Sequence, residues 1–206
     1  MISNTRVLAG ALVGGALLLA GCSDDSATAQ MDSMGRSAGS SGSAASQDAS
    51  FNDADVTFAR DMVPHHRQAI EMAQMAQERA EDPRVLDLAS RIEAAQQPEI
   101  DTLTGWLEAW DVDEDGMGGM DDDGMDHGGG MMSEEDMNAL MGASGTAFDR
   151  LFLEQMIEHH TGAVEMAVTE IAEGEYPDAL AMAETIRDTQ NAEIAEMRQI
   201  LGELGS

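Results

Sequence analysis

Lysine is absent from this sequence of 206 residues, and its ten basic residues are all arginines, set against forty acidic residues. The resulting formal charge of −30 would repel phosphate backbones and anionic lipid headgroups. Nucleic acid is therefore excluded as a partner. A surface this acidic attracts cations of every kind, so charge by itself indicates no particular metal.

Cysteine and aromatic residues are also scarce. With a single cysteine, Cys22, the chain cannot form an internal disulfide, so its stability must come from packing. Aromatic residues make up 3% of the sequence, and the core must therefore consist mainly of Leu, Ile, Val, Met and Ala. The length and the 43% of apolar residues favour one ordinary globular domain.

The amino terminus has the pattern of a targeting segment. An apolar run from residue 7 to 20 is too short to span a bilayer, and it ends in Leu19-Ala20-Gly21-Cys22, which resembles a bacterial lipobox. We expect a signal peptide at residues 1–21 and lipid modification of Cys22; the alternative is an ordinary secretory signal with an incidental cysteine. Both place the mature protein outside the cytoplasm, and lipidation would anchor it at the periplasmic face or the outer cell surface.

A segment from residue 22 to 50 is rich in Ser, Gly, Ala and Asp and predicts a flexible tether. After it, the sixteen residues 58–73 contain two adjacent histidines and recur at 152–167 with eight identities and no gap. Four of the five histidines of the chain lie in these two copies. The similarity continues at the same spacing of 94 residues and indicates an internal repeat of helical units.

Apolar residues recur at intervals of three and four residues through four long stretches. They predict helices over about residues 54–80, 83–110, 147–173 and 177–204, with Asn52 or Asp53 capping the first and Thr146 the third. A capping box at residues 133–136 predicts a further short helix through Met141. The predicted fold class is all-α: a four-helix bundle made of two repeated helical hairpins at 51–206, with an acidic insert rich in Met and Gly at 111–145.

The histidine doublets flank the apolar stripe of their helices. With Met62 at 0° on a helical wheel, His65 falls at about −60° and His66 at about +40°. The second copy repeats this arrangement, so four imidazoles would lie in or beside one small core. Burial of four polar rings without strong partners is costly, and a metal ion would satisfy them. The alternative is a set of structural histidines held by hydrogen bonds.

The residue three positions before each doublet indicates which metal. Di-iron and di-manganese bundles use Glu-x-x-His, whereas this sequence has Met62-x-x-His65 and Met156-x-x-His159. Thioether sulfur combined with imidazole favours copper, and Cu(I) in particular. The predicted metal ligands are His65, His66, His159, His160, Met62 and Met156, with Met72, Met166, His127 and Met125 as secondary candidates.

The motif Met-[Val/Ile]-x-His-His-x-x-Ala-[Ile/Val]-Glu-Met-Ala, at residues 62–73 and 156–167, resembles the bacterial family called domain of unknown function 305. The resemblance covers nearly all of the chain outside the tether and the insert. It implies a ferritin-like four-helix bundle that is exported, and members of the family have been implicated in copper binding. No enzymatic activity is established for the family.

The insert departs most from that pattern and has a possible metal site of its own. Asp111, Asp113, Asp115 and Asp122 have the spacing of an EF-hand calcium loop, with Asp in place of the bidentate Glu. The methionines of the insert and His127 offer a second reading, in which the segment captures copper loosely. The third reading is a solvated loop without a bound ion.

Together these features predict an extracytoplasmic copper-binding lipoprotein that sequesters the ion or hands it to a copper-handling partner in the envelope. That function requires no enzymatic activity, and the membrane would be contacted through the lipid anchor alone. One alternative is a ferritin-like metalloenzyme, an oxidase. Another is a metal-free adaptor in the envelope, and a homo-oligomer is compatible with each of the three.

Overall fold

A computed structural model describes residues 49–114 and 129–205. In this part of the chain 83% of the residues are helical and there is no strand. The predicted signal peptide with Cys22 and nearly all of the tether lie outside the described residues, as does the middle of the insert. The five helices are α1 (Asp53–Arg79), α2 (Pro83–Ala109), α3 (Glu134–Gly142), α4 (Thr146–Glu173) and α5 (Pro177–Leu204).

The bundle consists of two hairpins, as predicted. Helix α1 packs along α2, α4 packs along α5, and the hairpins meet mainly where α1 contacts α4. The outer helices α2 and α5 are linked by ion pairs, including Arg91 with Glu196 at 2.6 Å. The short helix α3 begins with the predicted capping box of Ser133 and Asp136 and packs against α4 and α1. The all-α bundle of two repeated hairpins is therefore confirmed. No described helix is long and apolar enough to cross a membrane.

The apolar core is divided into two clusters at opposite ends of the bundle. One cluster combines the second half of α1 with the first half of α4, and its largest fully buried members are Met72, Leu88, Ile92, Leu140, Phe148, Phe152, Leu153 and Met156. The other combines the first half of α1 with the second half of α4, and includes Phe58, Met62, Leu103, Leu107 and Ile186. Full burial of each such Leu, Met or Phe contributes about 1.5–3 kcal/mol to stability.

Two buried aspartates at equivalent positions of the repeat join the hairpins. The Asp149 carboxylate, near the start of α4, accepts hydrogen bonds from the backbone N–H groups of Glu81 and Asp82, both at 3.0 Å, in the turn between α1 and α2. The Asp55 carboxylate, near the start of α1, does the same for the backbone of Glu175 and Tyr176 in the turn between α4 and α5. Each hairpin therefore holds the turn of the other hairpin.

The predicted cap of α4 is wrong, whereas that of α1 is confirmed. Asn52 caps α1 in a reciprocal capping box with Asp55. In α4 the residue at the cap is Gly145, with a φ of 61° and no side-chain hydrogen bond, and Thr146 is the first helical residue. The Thr146 hydroxyl is directed to the Glu81 carboxylate at 3.4 Å instead of the backbone. The positive φ of Gly145 starts the helix one residue before the predicted position.

Candidate metal centre

A layer of polar side chains separates the two apolar clusters. Both clusters meet the layer near the middle of α1, where His65 and His66 are buried, and near the middle of α4, where His159 and His160 are buried. Helices α2 and α5 contribute a glutamine and a glutamate each. The members are His65, His66, Gln96, Glu99, His159, His160, Gln190 and Glu193, and those of the second repeat lie 94 positions after those of the first.

The closest pair of imidazole rings in this layer joins the two hairpins. The imidazole rings of His65 and His159 lie with their centroids 3.7 Å apart and their planes tilted by 36°. Within each doublet the rings are farther apart, at 6.4 Å for His65 and His66 and 6.3 Å for His159 and His160. The predicted approach of the two doublets therefore takes the form of one close pair between α1 and α4.

Burial keeps the rings of this pair neutral. Loss of solvation lowers the pKa of His65 to about 3, and the neighbouring His66 lowers it as well. Burial also lowers the pKa of His159 well below the ordinary value, with a further contribution from His65. A neutral imidazole has a lone pair on one nitrogen, and this is the form that binds a metal ion.

The second histidine of each doublet is bonded to a glutamate. His66 Nε2 donates to Glu99 Oε2 at 2.7 Å, and His160 Nε2 donates to Glu193 Oε2, also at 2.7 Å. A carboxylate can accept a hydrogen bond but cannot donate one, so the hydrogen is on Nε2 and a neutral ring has its lone pair on Nδ1. Carboxylate–histidine pairs of this kind orient metal-binding imidazoles in many proteins.

Several buried nitrogens of the layer have no hydrogen-bond partner of normal geometry among the described protein atoms. They are Nδ1 of His65, His66 and His160, and both Nδ1 and Nε2 of His159. The Oε1 atoms of Gln96 and Gln190 share this property. Leaving a buried polar group unsatisfied costs about 1–3 kcal/mol, so these atoms lower the stability of the folded protein when no ligand is bound to them.

The end of the insert covers one side of this layer. We call residues 129–132 the strap. His65 Nε2 donates to the carbonyl of Gly129 at 2.8 Å, and the Gln68 side chain bonds both the N–H and the C=O of Met132, at 2.7 and 2.9 Å. At the repeat-related position of α4, a Cβ on Gly162 would overlap the Gly129 carbonyl. Gly162 therefore permits the close approach of the strap to the helix.

The other predicted residues are placed in different surroundings. Met62 and Met156 are fully buried, one in each apolar cluster, and Met72 packs in the same cluster as Met156. Met166 is partly exposed. Met125, His127, Asp115 and Asp122 lie outside the described residues, whereas Asp111 and Asp113 are exposed just after α2. The described residues include no group of three or more His, Cys, Asp or Glu side chains arranged to hold a metal ion.

Sequence reasoning assigned no role to the two glutamates of the layer. Glu99 and Glu193 occupy equivalent positions of the two repeats, 94 residues apart. The glutamate shared by both repeats is the sequence feature that could have indicated a partner for each histidine doublet. Glu170 has no such signal, because the equivalent residue of the first repeat is Ala76. Its carboxyl is buried beside Asp55, and burial together with the hydrogen bond and the charge of Asp55 raises the pKa of Glu170 to about 8.

The fold and this layer define a class of protein, a four-helix bundle in which two hairpin repeats bring one histidine doublet each to a shared buried layer. The chain matches the family described as "Domain of unknown function (DUF305)" over residues 55–201. It belongs to that family.

Solved structures that resemble this chain agree with this assignment. A predicted secreted DUF305 protein from Streptomyces coelicolor is 30% identical, with a TM-score of 0.67 over 74% of this chain and 94% of that chain. CopM in its Cu(II)-bound form is 35% identical, with a TM-score of 0.63 over 72% of this chain and 96% of that chain. CopM is also known in Cu(I)-bound, silver-bound and apo forms. No curated protein matches the chain.

Proposed function

We propose that this protein binds copper outside the cytoplasm, as Cu(I) held between α1 and α4, and sequesters the ion or transfers it. His65 and His159 would provide the central ligands, with His66, His160, Met62 and Met156 beside them. The observation that carries the proposal is the buried His65–His159 pair. Its ring centroids are 3.7 Å apart, and three of its four ring nitrogens have no hydrogen-bond partner among the described atoms.

The donor set favours Cu(I) over harder ions. Zinc sites need four ligands, and calcium and magnesium need six or more oxygen atoms. The described residues offer no three-residue group of His, Cys, Asp and Glu, and on each helix a methionine, Met62 or Met156, stands one turn before the histidine of the pair. Cu(I) is satisfied by about two to four soft ligands, so a site of two imidazoles with adjacent methionine sulfur suits it.

The relatives support copper as the ion. CopM, at 33% identity in its Cu(I)-bound form, covers 72% of this chain, and its structures include complexes with Cu(I), Cu(II) and silver. Silver is a close chemical substitute for Cu(I). The similarity supports copper binding in this chain without identifying the ligands used here.

We propose further that the protein is a lipoprotein. The lipobox ending at Cys22 supports export and anchoring, and the likeness to a predicted secreted relative supports export. Mass spectrometry of the mature protein should find a lipid-modified Cys22 at the amino terminus. Cleavage at another residue would contradict the proposal, as would undiminished membrane retention of Cys22→Ser.

Competition titrations with separate Cu(I) and Cu(II) chelators test the copper site. Replacing all four histidines of the layer with Gln should abolish tight binding of both ions. Met62→Leu together with Met156→Leu should weaken Cu(I) much more than Cu(II), because Cu(II) prefers nitrogen and oxygen ligands. A chain without residues 116–128, which keeps the strap, is the comparison and should lose at most weaker, additional ions.

The reverse outcome would refute the proposal: tight copper binding that persists in the histidine variant and disappears with the insert. In that case the acidic, Met-rich insert would be the functional element. Oxygen consumption by the copper-loaded protein, measured in the same preparations, distinguishes a binding protein from an oxidase.

A further inference from the structure

A crevice of about 330 Å³ opens on the bundle surface beside the histidine layer. Its lining includes His65 on α1, Met166 on α4, and Gly129 and Met131 of the strap. The His65 side chain is 1% exposed, and its Nδ1 has no partner among the described atoms. The crevice therefore leads from solvent to one ring of the central histidine pair.

The lining of the crevice has the chemistry of a soft-cation site. Met131 and Met166 line the crevice and are partly exposed, which offers two thioether side chains to an incoming ion. Asp61 and Glu165, which also line the crevice, are exposed carboxylates. Carboxylates raise the local concentration of a cation, and thioethers select Cu(I) among cations.

The corresponding surface of the other repeat has a crevice lined by Glu71 and Met75, the counterparts of Glu165 and Thr169, but its lining does not include His159. Met72, the counterpart of Met166, is fully buried in the apolar core. Gln155, the counterpart of Asp61, is buried and donates to the backbone carbonyl of Asp136 in α3 at 3.0 Å. Helix α3 thus covers the face through which His159 would otherwise be approached. Among the described residues the internal twofold is therefore broken: of these two crevices, the one beside His65 has a histidine of the central pair in its lining.

Resting on the proposed function, we propose that this crevice is a loading site for Cu(I). The ion is captured by the thioethers of Met131 and Met166 and passes to the buried imidazoles through His65. Carboxylates at the rim contribute attraction without selecting the ion. The resident site and the loading site therefore share His65 but not the capturing thioethers, and these thioethers affect the rate of binding without changing its equilibrium.

The test uses a double variant that carries both Met131→Leu and Met166→Leu. A matched double variant, with both Met75→Leu and Met141→Leu, is the control. Met75 and Met141 line a different crevice, of about 310 Å³, which also contains the acidic residues Glu71 and Glu78. Stopped-flow spectroscopy follows anaerobic transfer of Cu(I) from its bicinchoninate complex to the protein. Release to excess bicinchoninate is followed in the same way.

We expect the Met131/Met166 variant to load and release Cu(I) several-fold more slowly, by the same factor, with an unchanged dissociation constant. The equal factors follow because a loading site is crossed in both directions. The Met75/Met141 variant should match the wild type in both rates. Unchanged rates in the Met131/Met166 variant would overturn the proposal, and so would weaker affinity with faster release, which would make these methionines resident ligands. If the wild type itself bound no Cu(I) tightly, the proposed function would fail first.

Discussion

The glutamates bonded to His66 and His160 determine which ring nitrogen is left to bind a ligand. Each carboxylate accepts from Nε2 at 2.7 Å, so the lone pair of a neutral ring is on Nδ1. A glutamine of the same shape can accept or donate at this position and does not impose that tautomer. The two glutamates are thus positioning residues, which act on the ion through the histidines.

We predict that Glu99→Gln together with Glu193→Gln weakens Cu(I) binding by about 10- to 100-fold, the usual effect of losing the partner of a metal-binding histidine. Chelator competition measures the affinity, and circular dichroism checks that the fold is retained. Glu108→Gln with Glu184→Gln is the control, since it removes the same charge from exposed positions of α2 and α5. Equal affinities for the two double variants would contradict the assigned role.

The raised pKa of Glu170 leads us to predict that the stability of the fold depends on pH. Its pKa in the folded protein is raised to about 8 from an ordinary value of 4.5, so the folded protein retains a proton that the unfolded chain releases. The stabilisation from this retained proton is full below about pH 4.5 and is lost as the pH rises through about 8. Over that range the free energy of unfolding falls by at most about 1.4 kcal/mol per pH unit.

We therefore expect urea unfolding to show stability declining from pH 5 to 8 in the wild type and much less in Glu170→Gln, which is neutral at every pH. The exposed residue Glu173 offers the control, and Glu173→Gln should retain the wild-type slope. The same slope in all three proteins would show that Glu170 keeps an ordinary pKa.

At the level of whole elements, two aspartates hold the hairpins together. Asp55 in the first hairpin and Asp149 in the second each accept hydrogen bonds from the turn of the opposite hairpin. Asp149 accepts from two backbone N–H groups in the turn between α1 and α2. Asparagine has one acceptor oxygen, so one buried N–H would lose its partner. We predict that Asp149→Asn lowers the free energy of unfolding by about 1–3 kcal/mol.

Denaturant unfolding measures this loss, and Asp101→Asn on the exposed face of α2 is the control, expected to be nearly neutral. Asp55 and Asp149 lie at opposite ends of the bundle, so the costs of changing both should add. A neutral Asp149→Asn variant would mean that the turn does not depend on this contact.

The strap is the element that makes the two repeats different. It bonds Gln68 in the first repeat and rests on Gly162 at the matching position of the second. Together with α3, it leaves His65 beside a crevice and covers the face near His159. Two nearly identical helical motifs are thereby given different access to solvent.

Considered as a whole molecule, the bundle has apolar clusters at both ends that do not depend on the histidine layer. We predict that the metal-free protein is folded, with helical circular dichroism close to that of the copper-loaded form, and that chelators leave it folded. A protein whose folding required the metal would unfold on chelation. The apo form of CopM, at 33% identity, is consistent with this expectation.

The fold could be predicted from the sequence almost completely. Apolar periodicity and helix-ending residues gave the bounds of the four long helices to within one residue, and a capping box gave the short helix. The cap of α4 was missed because a positive φ at Gly145 is a backbone property that the residue type permits but does not require.

The candidate site could be predicted in part. The helical wheel placed the doublets beside the core, and the repeat predicted that they approach each other. The contacts of His65 with the strap and of Glu170 with Asp55 join residues far apart in sequence that share no pattern. Such contacts depend on how the strap and the helices pack against one another, and local sequence does not determine that.

Copper K-edge X-ray absorption of the Cu(I)-loaded protein tests the central claim, that imidazoles from both repeats hold one ion between α1 and α4. The account predicts the outer-shell scattering of imidazole rings in the wild type and its loss in His65→Gln with His159→Gln. His127→Gln, which changes the one histidine outside the repeats, should leave the spectrum unchanged. A wild-type spectrum of sulfur ligands alone, or one altered by the His127 variant and unaffected by the double variant, would contradict the claim.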